Sequence, residues 1–215
     1  MKRTALSVLL STAFLAAPIA MATAAPPAAT QQLGTPSRLV LDNSTRILTT
    51  LETRRAEFSK NRGALKQFVS SEFNQMFDRD YAARLVLGAH GRGAPDADVK
   101  LFADALSENL MQRYGSSLLD FNTRLTVKVK SETSVANGKA TRVSTQMLRQ
   151  GGEPIPVDYL MHQVNGQWKV FDVLVEGVSF VQTFRSQFDG PLSRAPIAQV
   201  AAELKAGKLQ AQAQR

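Results

Sequence analysis

Cysteine is absent from this chain, and its absence closes several routes at once. No disulfide can staple the fold, so the fold must be held by its core alone. No lipid can be attached at a cysteine behind a leader peptide, and a zinc site without thiolates would have to rest on histidine and carboxylates. Histidine is scarce too: there are two, His90 in a glycine-rich loop and His162 in a strand pattern, and they form no pair with metal-ligand spacing. No G-x-S-x-G elbow is present. Gly88, Gly91 and Gly93 lack the strand–loop–helix order and the closing Lys-Ser/Thr of a phosphate loop, and read as a helix terminator. No apolar run reaches the roughly 20 residues of a membrane span. Like charges never gather into a block, no internal repeat is evident, and no Pro/Gly/Ser-rich linker divides the chain.

What is present begins with a targeting segment. Lys2 and Arg3 form a basic n-region, Ala5 to Ala17 an apolar h-region that Pro18 ends, and Ala22-Thr23-Ala24 a small-x-small cleavage site. Residues 1–24 are expected to be a signal peptide, and 25–35, rich in Ala, Pro, Gln and Thr, a flexible leader. The mature protein is then exported and soluble. About 180 residues remain, enough for one domain with a sizeable core, expected over 36–208 and followed by a polar tail at 209–215. The formal charge is +8, and loss of Lys2 and Arg3 lowers it to +6. Such a balance suits a solvated basic surface, anionic lipid or an acidic partner; export and the scatter of the charges argue against nucleic acid.

The period of the apolar residues changes along the chain. Up to Tyr114 it is helical. One helix starts at Thr35-Pro36 as N-cap and first residue and carries Leu39, Val40, Ile47, Leu48 and Leu51 toward Phe58, and Gly63 breaks the pattern. A second carries Leu65, Phe68, Val69, Phe73, Met76 and Phe77. A third is capped by Asp78, and a fourth starts at Pro95 with Leu101, Phe102, Ala105, Leu106, Leu110 and Tyr114 on one stripe. After Phe121 the period falls to 2. Four strands follow, the second, third and fourth at Ala140–Arg149, Ile155–Val164 and Gln167–Val175, with Asn137-Gly138 and Asn165-Gly166 as turn signals. Beyond the Glu176-Gly177 turn, Phe180, Val181, Phe184 and Phe188 share one helical face, and Ile197, Val200 and Leu204 mark a last short helix. The predicted fold is α+β: a curved four-stranded antiparallel meander with helices across its concave face, enclosing an apolar cavity.

Little of this is catalytic. Asp172 and Glu176 are too far apart along an extended strand for a retaining glycosidase pair. Asp172, between Phe171 and Val173, reads as a carboxylate accepting hydrogen bonds from backbone or an Arg; a small pocket enzyme using it is the alternative. Arg84 and Arg185 stand at the edges of apolar stripes, where a guanidinium can meet a phosphate bidentately or simply pair with a carboxylate.

The string from Trp168 to Phe188, WKVFDVLVEGVSFVQTFRSQF, resembles the signature of the MlaC family, also called the toluene-tolerance family. Arg84-Leu85-Val86-Leu87-Gly88 resembles a helix end of that family in looser form, with His90 where the family carries Trp or Tyr, and Phe102, Leu106 and Tyr114 match its long helix. The resemblance implies a non-enzymatic periplasmic phospholipid carrier without cofactor. Such a carrier would exchange lipid with an outer-membrane lipoprotein–porin complex and with an inner-membrane ABC transporter complex through its membrane-anchored lipid-binding subunit, maintaining outer-membrane lipid asymmetry. A cargo-free adaptor bridging the two complexes is the remaining alternative. The expected tail-binding residues are Val86, Leu106, Leu110, Tyr114, Val127, Val143, Met147, Tyr159, Met161, Val178, Val181 and Phe184, with Arg84 and Arg185 at the mouth. Their strand members follow from period-2 facing; strand four is ambiguous, because Val170 and Phe171 are both apolar and point opposite ways. Gly88–Gly93 and Glu176-Gly177 are the expected hinges of an opening mouth.

Overall fold

The computed structural model describes residues 34–115, 119 and 125–212; the expected signal peptide and nearly all of the expected leader lie outside them. Among the described residues, five α-helices precede the sheet: α1 (Thr35–Thr53), α2 (Arg55–Lys60), α3 (Arg62–Met76), α4 (Arg79–Leu87) and α5 (Asp96–Tyr114). The strands are β1 (Leu125–Val135), β2 (Ala140–Arg149), β3 (Ile155–Val164), β4 (Gln167–Val175) and β5 (Val178–Ser179), followed by α6 (Phe180–Arg194) and α7 (Ile197–Lys205).

Three local expectations are corrected. The first helix does not run through to Phe58 but breaks at Arg54. Thr53 turns its hydroxyl back onto the Thr49 carbonyl, a bond that bends helices, and Arg54 clamps Glu57 while lying 4.6 Å from the Phe58 ring. The next break is set by Asn61 rather than Gly63: the Asn61 side chain accepts from the Ala64 amide at 3.0 Å and caps α3, leaving Gly63 inside its first turn. On α5, Leu101 is 52% exposed, and the inward stripe is Val99, Phe102, Ala105, Leu106 and the polar Asn109.

The sheet has five strands in the order β1-β2-β3-β4-β5, all antiparallel, not four. The extra strand exists because Glu176 and Gly177 both take positive φ, 52° and 82°, making a two-residue hairpin turn that folds Val178 and Ser179 back onto β4. A bulge in β4 settles its facing. Leu160 pairs with Asp172 and Met161 with Val170, so Phe171 is the extra residue. Val170 and Val173 therefore share a face with Val143, Tyr159 and Met161, and that face is closed by Val40 and Leu39 of α1 with Met76 and Phe77 of the α3 end. Phe171 turns to the opposite face, where it meets His162 and the Tyr81 ring of α4.

Two further clusters are helical. Val86, Leu87, Phe102, Leu106, Val181, Phe184, Phe188, Val200 and Leu204 join α4, α5, α6 and α7, and Leu51, Phe58 and Leu65 join α1, α2 and α3. The first residues of the expected tail are anchored: buried Asn109 donates to the carbonyls of Leu204 and Leu209 and accepts from the Ala211 amide.

Candidate functional site

The placement of α6 starts at Asp172. The β4–β5 hairpin returns the chain so that Ser179, the N-cap of α6, donates to one Asp172 oxygen at 2.6 Å, while the Val181 amide donates to the other at 3.1 Å. Ser179 in turn accepts from the Gln182 amide at 3.0 Å. A buried carboxylate at the positive end of a helix is stabilised by the macrodipole and by amides left without helical partners. Both Asp172 oxygens thus accept a hydrogen bond that holds the start of α6.

Anchored there, α6 brings Phe180 and Phe184 against α3 and α5, and a cavity of about 620 Å³ lies between these three helices. Val69 and Phe73 of α3 and Leu110, Met111 and Tyr114 of α5 supply the rest of its apolar wall. These side chains are only half-buried, so the helices stop short of filling the space between them. None of the lining residues belongs to a strand. The polar members of the lining include two ion pairs: Lys66 with Glu108 at 3.1 Å, linking α3 to α5, and Arg79 with Asp104 at 2.9 Å, linking α4 to α5. Asp104 also lies 3.6 Å from Lys100.

The expected tail residues fall into two groups. Val127, Val143, Met147, Tyr159 and Met161 all stand on one sheet face, as their register pairs require. Val143, Tyr159 and Met161 are buried there under α1. Val86, Leu106, Val181 and Phe184 belong to the helical core, with Leu110 packed against it. Of the twelve, Leu110, Tyr114 and Phe184 line the cavity, whereas Val178, in the hairpin, is 43% exposed. Arg84 pairs with Asp96, and Arg185 donates to the Leu85 carbonyl at 2.9 Å; neither lines the cavity. Gly88 ends α4 with φ 56°, and a side chain there would meet the Arg185 guanidinium 3.0 Å away. The Gly88–Gly91 turn is further tied to α6 by His90 and Asp189, 3.0 Å apart.

Sequence reasoning missed Lys66, Val69, Phe73, Arg79, Asp104, Glu108 and Met111. A signal existed in the spacing: Asp104, Glu108 and Met111 recur at i, i+4 and i+7, and Lys66, Val69 and Phe73 at i, i+3 and i+7, each mixing one rim charge with apolar wall. His162, the other titratable group singled out, shares a hydrogen bond of 2.9 Å with the α4 N-cap Asp78 and stacks on Tyr81. Tyr159 is buried with a hydrogen bond to Ser44 of α1, and burial pushes its phenol above the ordinary tyrosine range. Among the described residues, no group of three His or carboxylate side chains could hold a metal ion, and no helix is long and apolar enough to cross a membrane.

With this geometry established, the chain can be set beside known proteins. The model of the family described as MlaC protein matches residues 41–206. The toluene tolerance protein ttg2D of Pseudomonas putida is 27% identical over 173 residues, 80% of this chain and 79% of that protein. The intermembrane phospholipid transport system binding protein MlaC of Haemophilus influenzae is 20% identical over 162 residues, 74% of this chain and 75% of that protein. A solved phospholipid-binding protein from Ralstonia solanacearum, in complex with a phospholipid, has the same fold. Its TM-score is 0.70 at 20% identity, and the match covers 80% of this chain and 97% of that one.

Proposed function

This chain belongs to the MlaC family, and from that premise we propose that it is a phospholipid-binding protein that holds its ligand by the acyl chains in the cavity between α3, α5 and α6. The observation that carries this reading is the cavity itself. A space of about 620 Å³ with a predominantly apolar wall is of the size that small-molecule sites use, roughly 300–1,000 Å³. Each methylene withdrawn from water contributes about 0.8 kcal/mol, so acyl chains supply a large driving force without any chemistry on the lipid.

Within this proposal the protein is exported to the periplasm and carries phospholipid between an outer-membrane lipoprotein–porin complex and an inner-membrane ABC transporter complex, through the latter's membrane-anchored lipid-binding subunit. The names of the relatives, a phospholipid transport system binding protein and a toluene tolerance protein, support that route. The same burial that secures the lipid slows its spontaneous release, so handover requires a partner that widens the gap between α3 and α5. An enzymatic reading through Asp172 gains nothing from its two hydrogen bonds, which hold α6.

The test is native mass spectrometry, with analysis of organic extracts, on protein purified gently from the periplasm. Stoichiometric phospholipid is the expected result. Ligand-free protein that also takes no lipid from vesicles would reject the proposal.

A further inference from the structure

The polar part of the cavity lining holds opposed charges beside the neutral Ser70, Asn74 and Ser107. Lys66 of α3 and Arg79 of α4 lie on one side, Glu108 and Asp104 of α5 on the other, and all four line the cavity. Asp104 and Glu108 are one helical turn apart, so the two pairs sit side by side along α5, one reaching α3 and the other α4. Both pairs reach solvent: the side chains of Lys66 and Asp104 are half exposed, and an ion pair in water is weak. Arg79 is the more enclosed, its side chain 23% exposed, and its planar guanidinium matches a phosphate bidentately. The other arginines near this end are committed elsewhere, Arg84 to Asp96 and Arg185 to the Leu85 carbonyl.

We infer that Lys66 and Arg79 form a phosphate-binding rim whose cations are held in reserve by Glu108 and Asp104, and that the phosphate of an amphiphile seated in the cavity takes them over from those carboxylates. The exchange conserves ion pairing on the cations, releases Glu108 to water and leaves Asp104 to Lys100, 3.6 Å away. It also couples the rim to occupancy. With the cavity empty, the pairs draw α3 and α4 toward α5; with it filled, the same cations face the head group. This inference rests on the cavity being the lipid site, and it adds which atoms of the lipid the protein reads.

The test is a displacement titration of the full-length mature protein, freed of lipid, against a fluorescent amphiphile. A short-chain phosphatidylglycerol, the matching diacylglycerol and inorganic phosphate serve as competitors. The quantity read is the ratio of phosphatidylglycerol to diacylglycerol affinity, which changes in overall folding do not move. Wild type is expected to favour phosphatidylglycerol about tenfold, the Lys66→Gln/Arg79→Gln double variant to fall to parity, and Lys66→Arg/Arg79→Lys to recover most of the preference. Asp104→Asn/Glu108→Gln, which removes the competing carboxylates, is expected to raise the ratio above wild type. An unchanged ratio in the first variant, or a lowered one in the last, would overturn the inference. Displacement by inorganic phosphate as effective as by phosphatidylglycerol would also overturn it, by making the rim a free-anion site. Diacylglycerol tests the cavity alone, so a wild type that binds phosphatidylglycerol and diacylglycerol equally defeats this inference only. A wild type that binds neither defeats the lipid reading as well.

Discussion

Asp172 is a carboxylate withdrawn from water, 5% exposed, and satisfied by a hydroxyl, an amide and a helix dipole. Replacing it with Asn keeps the shape but removes the charge at the α6 N-terminus and turns an amide toward one of the two donors. The expected cost is about 1–3 kcal/mol, read as a lower urea midpoint at unchanged slope, with no enzymatic reaction lost. Tyr159 gives the complementary case, a group that must stay neutral. Its unfolded phenol titrates near 10, and burial raises the folded value above that. The stability this contributes is complete below about pH 10 and is lost as pH rises through the folded value. Wild type should therefore lose stability above pH 10 more steeply than Tyr159→Phe, measured by denaturation at several alkaline pH values. At neutral pH the variant should be weaker by about 1 kcal/mol through the lost Ser44 bond. Asp172 was legible as a hydrogen-bonded carboxylate because it stands between Phe171 and Val173 in a strand pattern, and a carboxylate buried there needs donors. Its donors, Ser179 and Val181, became visible only with the hairpin that returns them.

Elements here are held at their ends by residues from elsewhere in the chain. The N-terminus of α1 has no cap of its own, since Gly34 offers no side chain. Glu132 of β1 fills the role, accepting from the Ser37 amide at 3.0 Å and its hydroxyl at 2.6 Å, so that an anion sits where the helix dipole is positive. A Cβ on residue 34 would come within 2.4 Å of the Glu132 carboxylate and would displace that side chain from its place over the helix end. Glu132→Ala is expected to destabilise the fold by about 1–2 kcal/mol and to raise hydrogen exchange in the first turn of α1. The same change at Glu153, an exposed loop carboxylate, should leave that turn unaffected. No pattern in the sequence announces such a contact, because capping in trans leaves no local spacing to read. The opposite holds for Trp168 to Phe188. Strand, turn, cap and apolar helix face follow one another there, and each supports the next, so family resemblance and local physics coincide. Even so, the bulge at Phe171 reset the alternation of β4, and the two-residue β5 was hidden inside what looked like a plain turn.

At the scale of the whole molecule, the sheet was the more legible half and the cavity the less. Val127, Val143, Met147, Tyr159 and Met161 stand on one face because a period of 2 leaves no other choice once a meander is assumed. That face is nevertheless covered by α1, while the 620 Å³ space lies among helices. Which helices face each other depends on contacts such as Lys66 with Glu108, 42 residues apart, and a helical stripe alone does not name its partner. The distinction can be tested by placing one charge in each region. Met111→Glu puts a carboxylate on a half-buried wall of the cavity, where the protein fold has little packing to lose but an acyl chain would have to lie against an ion. Met161→Glu puts it in the fully buried sheet cluster, where an unpaired charge breaks the core. Met111→Glu should accumulate with a melting temperature within a few degrees of wild type and copurify with little or no phospholipid. Met161→Glu should fail to accumulate as folded protein. Full lipid occupancy in a folded Met111→Glu protein would move the acyl chains away from the α3–α5–α6 gap and toward the sheet. Folded but lipid-free Met161→Glu would make the same point from the other side, since it would mean that the space under α1 opens to admit the lipid.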